Sequence, residues 1–131
     1  MERNEKTRAL LAAFGCALAY LLAGKVLTAV LPQVPEEAAR MWAFVHRCAA
    51  APIVEELVFR GIIQQLARPL GERQAVALQA VLFAVQHRGP AGMAYALVCG
   101  LVLGTIRSRT GSVWPGMLLH TLNNLLVFAA G

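Results

Sequence analysis

The sequence predicts an all-α fold, a polytopic transmembrane bundle of about five helices with a polar site inside the bilayer. Three observations predict it. Hydrophobic residues make up 58% of the chain and charged residues only 15%, against roughly 45–50% and about 25% in soluble domains. The apolar residues gather in segments broken by short Pro/Gly turns and basic residues. Three compact polar clusters then interrupt those segments: Glu55-Glu56-Leu57-Val58-Phe59-Arg60, Phe83-Ala84-Val85-Gln86-His87 and His120-Thr121-Leu122-Asn123-Asn124. Ionisable side chains at membrane depth are costly, so they mark functional sites by default. A chain of 131 residues leaves no room for a second domain, and residues 1–131 read as a single transmembrane domain.

The first apolar stretch, from about Ala9 to Leu31, follows the charged start Met1 to Arg8. It is longer than a signal-peptide core, although Ala17-Leu18-Ala19 is a cleavage-like triplet, and it reads as a retained first transmembrane helix, 9–31. Lys25 can snorkel to the nearer surface. Pro32-Gln33-Val34-Pro35-Glu36-Glu37 is a loop or helix start. The second helix begins near Glu36 or Met41 and runs to about Ala67, where Pro69-Leu70-Gly71 ends it. Pro52 inside it predicts a kink or an unpaired carbonyl just before Glu55. The third segment, Gln74 to His87, is short for a full span. The fourth runs from Ala91 to about Ile106 and carries Gly100-Leu101-Val102-Leu103-Gly104, a GxxxG that permits close helix contact. Arg107 to Gly111 reads as a polar turn, and the fifth helix spans about Ser112 to Ala130.

Charge orients the bundle and excludes other classes. The formal net charge is +5, and the basic residues sit mainly at segment ends. With the N-terminus inside, Arg3, Lys6, Arg8, Arg68, Arg73, Arg107 and Arg109 collect on the inner side, which the positive-inside rule favours; five spans then leave the C-terminus outside. No aromatic-basic patch and no glycine-rich phosphate loop is present, so nucleic acid is not a predicted partner. Cys16, Cys48 and Cys99 are odd in number and form no CxxC, so they read as packing residues. Serine chemistry lacks support: Ser108 and Ser112 fall in the polar turn and no GxSxG occurs.

The clusters suit hydrolysis. Glu56 and Arg60, spaced i, i+4 with the acid first, form the favoured intrahelical ion pair. Glu55 lies about 100° around the helix, free to reach a neighbour. His87 either caps carbonyls at the end of its segment or joins Glu55 in deprotonating a water. His120 and Asn124 share a face and suit an oxyanion site or interhelical polar glue. Counted from the inner helix ends, Glu55, His87 and Asn124 all come out about 20 Å deep, and His120 about 14 Å. Glu55, His87 and His120 also make a two-histidine, one-carboxylate set suited to zinc, although no HExxH is present. The residues leave the bare glutamate–histidine pair and the metal both open.

These motifs, in this order, resemble those of the CAAX-protease and bacteriocin-processing (Abi) family of membrane proteins. Glu55-Glu56 to Arg60 matches its EExxxR, Phe83 to His87 its FxxxH and His120 to Asn124 its HxxxN. Arg109-Thr110-Gly111-Ser112 resembles the usual approach to the third motif. The resemblance covers about Met41 to Phe128, a catalytic core of 41–128. It implies an intramembrane endopeptidase in which Glu55 and His87 activate water, His120 and Asn124 form the oxyanion site, and Glu56 and Arg60 support them. Glutamate-type and metal-dependent descriptions both exist for the family, so the resemblance also leaves zinc open. One helix precedes the core here, where many members carry more. Short relatives are associated with C-terminal sorting tails of bacterial surface proteins, which implies a bacterial inner-membrane location and a membrane-associated protein or peptide tail as substrate. A non-catalytic immunity or partner-binding protein is the second reading, with the polar cluster as packing glue. A small transporter with Glu55 as a proton site is the third; it lacks the internal repeat it would need.

Overall fold

Small side chains and glycines set where these helices touch. The computed structural model describes residues 2–30 and 34–131, and among them all regular structure is helical. Five helices follow in chain order: α1 (Glu2–Val30), α2 (36–66), α3 (Glu72–Ala84), α4 (Gly89–Thr110) and α5 (Trp114–Ala129). A 3₁₀ turn at Arg68–Leu70 joins α2 to α3. Leu31, Pro32 and Gln33, which carry the expected end of the first helix and the start of the following loop, lie outside the described residues.

The first helix starts earlier than its apolar run. The charged residues are helical too, because Lys6 pairs with Glu2 one turn back and Thr7 bonds the Arg3 carbonyl at 3.0 Å. Such i, i+4 pairs with the acid first support a helix end. Its buried residues are Ala9, Ala13 and Ala17, one small-residue stripe at helical spacing that lets α1 sit close against α2. Leu11, Leu18, Leu22 and Val26 face outward and are exposed, as expected where lipid is the solvent. Both α1 and α4 are long and apolar enough to cross a membrane.

The second helix is continuous but irregular. Two π-helical stretches, His46–Ala50 and Glu56–Ile63, flank the short α turn Ala51–Glu55. Pro52 explains the first. The Ala51 amide bonds the His46 carbonyl five residues back. In that register the Arg47 carbonyl falls to Pro52, which has no N–H. The predicted unpaired carbonyl is therefore Arg47's, and its partner comes from α5: Asn124 Nδ2 donates to it at 2.8 Å. Single-turn π insertions of this kind recur at functional sites.

The third helix has 13 residues, about 20 Å of rise, and falls short of a hydrocarbon core of about 30 Å. It pairs with α4 through the GxxxG. A Cβ on Gly100 would lie 2.9 Å from the Ala80 Cα, and one on Gly104 2.3 Å from Gln79 Nε2. Two buried glutamines use that closeness. Gln79 donates to the Gly100 carbonyl at 2.7 Å, and Gln64 to the Gly104 carbonyl at 3.0 Å. Contrary to the expected turn from Arg107, α4 runs on to Thr110, whose hydroxyl bonds the Ile106 carbonyl at 2.8 Å. Arg107 and Arg109 complement the helix dipole there. Gly111, at φ 69°, ends the helix in the left-handed conformation that suits glycine. Ser108 consequently lies in the helix, bonded to Gln64 and Glu72.

Candidate active site

The innermost layer of the site is a buried charge cluster. Glu56 and Arg60 are both fully buried. Arg60 Nη1 stands 3.0 Å from Glu56 Oε1, close enough to neutralise it, although the guanidinium is not angled for a hydrogen bond. Its Cζ lies over the Phe83 ring, 4.4 Å from the centroid, so the Glu56 charge and the ring's π-face together compensate the arginine. Phe83 is the hub of this layer, with edge contacts to Phe59, His87 and His120 at 5.1, 4.7 and 5.9 Å. These contacts give physical roles to the arginine and the phenylalanine of the first two polar clusters.

His120 on α5 joins this layer to the next. Its Nδ1 lies 2.9 Å from Glu56 Oε1, and a carboxylate acceptor assigns the proton to Nδ1. Its Nε2 faces Glu55 Oε2 at 3.5 Å. One histidine thus stands between two carboxylates that are neighbours in sequence but diverge around α2. Glu55 does reach another helix, as its angular position predicts. A proton between Nε2 and Oε2 is required for that contact to be attractive.

Glu55, His87, His120 and Asn124 line one cavity of about 790 Å³, open to the outside, while Glu56 and Arg60 lie behind it. His87 stands past the end of α3, in the turn at 85–88. Its Nδ1 lies 3.0 Å from the Phe83 carbonyl. A carbonyl can only accept, so Nδ1 carries the proton and a neutral ring keeps a lone pair on Nε2. The capping role and the cavity position therefore coexist. Asn124 spends one amide hydrogen on the Arg47 carbonyl and keeps a second. Its Oδ1 accepts from Asn123 Nδ2 at 3.3 Å. Asn123 itself accepts from Tyr95 outside the cavity.

The expected zinc ligands Glu55, His87 and His120 face this cavity together, but among the described residues no three His, Cys, Asp or Glu groups converge to hold an ion. Glu55 and His120 are close enough to share one; a third ligand does not complete the set.

Three contributors escaped the sequence reading. His46 and Arg47 line the cavity. Arg47 and Ala51 precede Glu55 by eight and four positions, so one helix face carries all three. Gly116 is the third. A Cβ there would lie 2.7 Å from Glu56 Oε2, so glycine leaves the room the carboxylate occupies. The available signal was spacing: Gly116, His120 and Asn124 repeat every four residues on α5.

A sequence model described as Rce1-like, type II CAAX prenyl endopeptidase Rce1-like, matches residues 37–126. That segment contains all three polar clusters. No curated protein and no solved structure matches the chain.

Proposed function

The chain belongs to the Rce1-like family of type II CAAX prenyl endopeptidases, and from that premise we propose that it hydrolyses a peptide bond with a water activated by Glu55 and His87. The observation that carries this reading is the shared cavity of Glu55, His87, His120 and Asn124. The Glu55 carboxylate and the free Nε2 of His87 accept the proton as the water oxygen bonds the scissile carbonyl carbon. The resulting oxyanion meets the Nε2 proton of His120 and the second amide hydrogen of Asn124. The carbon–nitrogen bond then breaks, and the proton held by the Glu55–His87 pair passes to the leaving amine. Glu56 orients His120, and Arg60 neutralises Glu56.

The substrate in this reading is a membrane-associated protein or its C-terminal tail, reaching the cavity from the bilayer. The protein sits in a bacterial inner membrane with the N-terminus inside, a proposal supported by the basic residues Arg3, Lys6, Arg8, Arg68, Arg73, Arg107 and Arg109. The test compares peptide termini in membrane proteomes of cells carrying wild type and Glu55→Gln at equal abundance. Termini that appear only with wild type are expected. Identical termini would favour the non-catalytic, partner-binding alternative, in which the same contacts serve packing alone.

A further inference from the structure

The end of the bundle where α2 stops, α3 starts and α4 stops carries a second, polar cleft. Its volume is about 250 Å³, and Gln64, Arg68, Glu72, Arg107, Ser108 and Gly111 are among its lining residues. None of these lines the cavity that holds Glu55. Drug-sized ligands occupy roughly 300–1,000 Å³, so this cleft suits one small polar group.

Side chains from three helix ends build it. The buried Gln64 donates to Ser108 Oγ at 3.0 Å, and the Ser108 hydroxyl donates to Glu72 Oε1. Glu72 Oε2 faces Arg68 Nε at 3.5 Å. The one acid in the lining therefore has both oxygens engaged. Arg107, in the last turn of α4, has no such partner. It is half-buried, and its Nε is enclosed without an acceptor. Among the described residues no carboxylate lies within ion-pair distance of it. Removing a charge from water without a counter-ion is unfavourable, and an anion in the cleft would supply one. Arg73 and Arg109 line an adjoining recess with Glu72 and Ser108. Across the two recesses four arginines face one glutamate, so the field there favours an anion.

Location selects which anion. Helix α4 is long and apolar enough to cross a membrane, so its last turn lies at a headgroup surface. Arginine forks match phosphate oxygens, and basic pockets between helix ends hold anionic headgroups. We propose that Arg68 and Arg107 bind the phosphate of an anionic phospholipid in this cleft, bridging the turn after α2 to the end of α4. Free phosphate offers the same oxyanion. Lipid is favoured because the cleft sits where α4 meets the headgroup layer. The site is independent of the hydrolysis proposed above, and its test does not read cleavage.

The full chain in a zwitterionic detergent is incubated with equal amounts of phosphatidylglycerol and phosphatidylcholine. Retained lipid is counted by native mass spectrometry on the monodisperse fraction. Wild type should retain phosphatidylglycerol about tenfold over phosphatidylcholine, as one charge-assisted hydrogen bond provides. Arg68→Gln with Arg107→Gln should bring the ratio near one. Arg107→Lys keeps the charge but not the fork, so it spares the fold and should lower the ratio severalfold. Arg73→Gln with Arg109→Gln removes equal charge outside the cleft and should keep most of the preference. Equal loss in the two double variants would mean diffuse attraction to a basic surface and overturns the site. Equal retention of the two lipids by wild type, including none of either, overturns it too, as does an Arg107→Lys ratio equal to that of wild type. In a second arm, thermal unfolding of delipidated protein compares phosphatidylglycerol with inorganic phosphate. The lipid should raise Tm more; a rise with inorganic phosphate alone overturns the lipid as the source.

Discussion

His120 Nδ1 donates to Glu56 Oε1 at 2.9 Å, a bond between α5 and α2 across 64 positions of chain. The same oxygen lies 3.0 Å from Arg60 Nη1. The bond orients His120 toward Glu55, and it does so with a carboxylate that is wholly removed from solvent. Buried charges of this kind add little stability as a set, but removing one leaves its partner uncompensated.

Glu56→Ala should therefore destabilise the protein by about 3–5 kcal/mol, because Arg60 stays buried and charged. Thermal unfolding of the purified variant in detergent reads this as a large drop in Tm, and a Tm equal to wild type would refute the ion pair. Replacing Glu56 and Arg60 together with apolar residues should recover much of the stability, yet leave cleavage defective, since His120 loses its orienting acceptor.

Gly116→Ala tests the same carboxylate from the other side. The added methyl would stand 2.7 Å from Glu56 Oε2, well inside contact distance. Overpacking of this size costs about 1–3 kcal/mol. Displacing a positioned group by about 1 Å can reduce turnover about a hundredfold. The expected outcome is a fall in kcat with KM little changed and the fold retained. Unaltered kcat would show that Glu56 does not position the reaction.

Much of this arrangement was legible in the chain, for local reasons. The spacing of Glu56 and Arg60 predicts their pairing, and the angle between Glu55 and Glu56 predicts their divergence. Pro52 predicts a freed carbonyl, and the GxxxG predicts the close approach of α3 and α4. What escaped depends on contacts between distant segments. Nothing near Gly116 announces Glu56, and nothing near Arg47 announces Asn124. Gln64 and Gln79 are polar residues in apolar helices, but their bonds to glycine carbonyls require the close crossing to exist first. The helix begins at Glu2, ahead of its apolar run, because i, i+4 pairing among the charged residues extends it.

Metal dependence has a direct check. Because no three ligand groups converge among the described residues, cleavage by the purified enzyme should survive prolonged treatment with a strong zinc chelator. Loss of activity that returns on adding zinc would overturn this and place an ion between Glu55 and His120.

Asn124 combines two duties that a double-mutant cycle can separate. One amide hydrogen repairs the carbonyl at Arg47 that Pro52 leaves without a partner; the other is free for the oxyanion. Asn124→Ala should therefore cost about 1–3 kcal/mol for the unsatisfied carbonyl and should also abolish most turnover. Pro52→Ala supplies the missing backbone N–H. In that background, Asn124→Ala should lose far less stability, giving a coupling energy within the range of about 0.5–3 kcal/mol seen for residues sharing a partner. Turnover should stay low in the double variant, because the backbone repair does not restore the oxyanion donor. Stability and turnover recovering together would mean that Asn124 acts only by holding α2 to α5. Neither recovering would mean that the Arg47 carbonyl is not the group that Pro52 exposes.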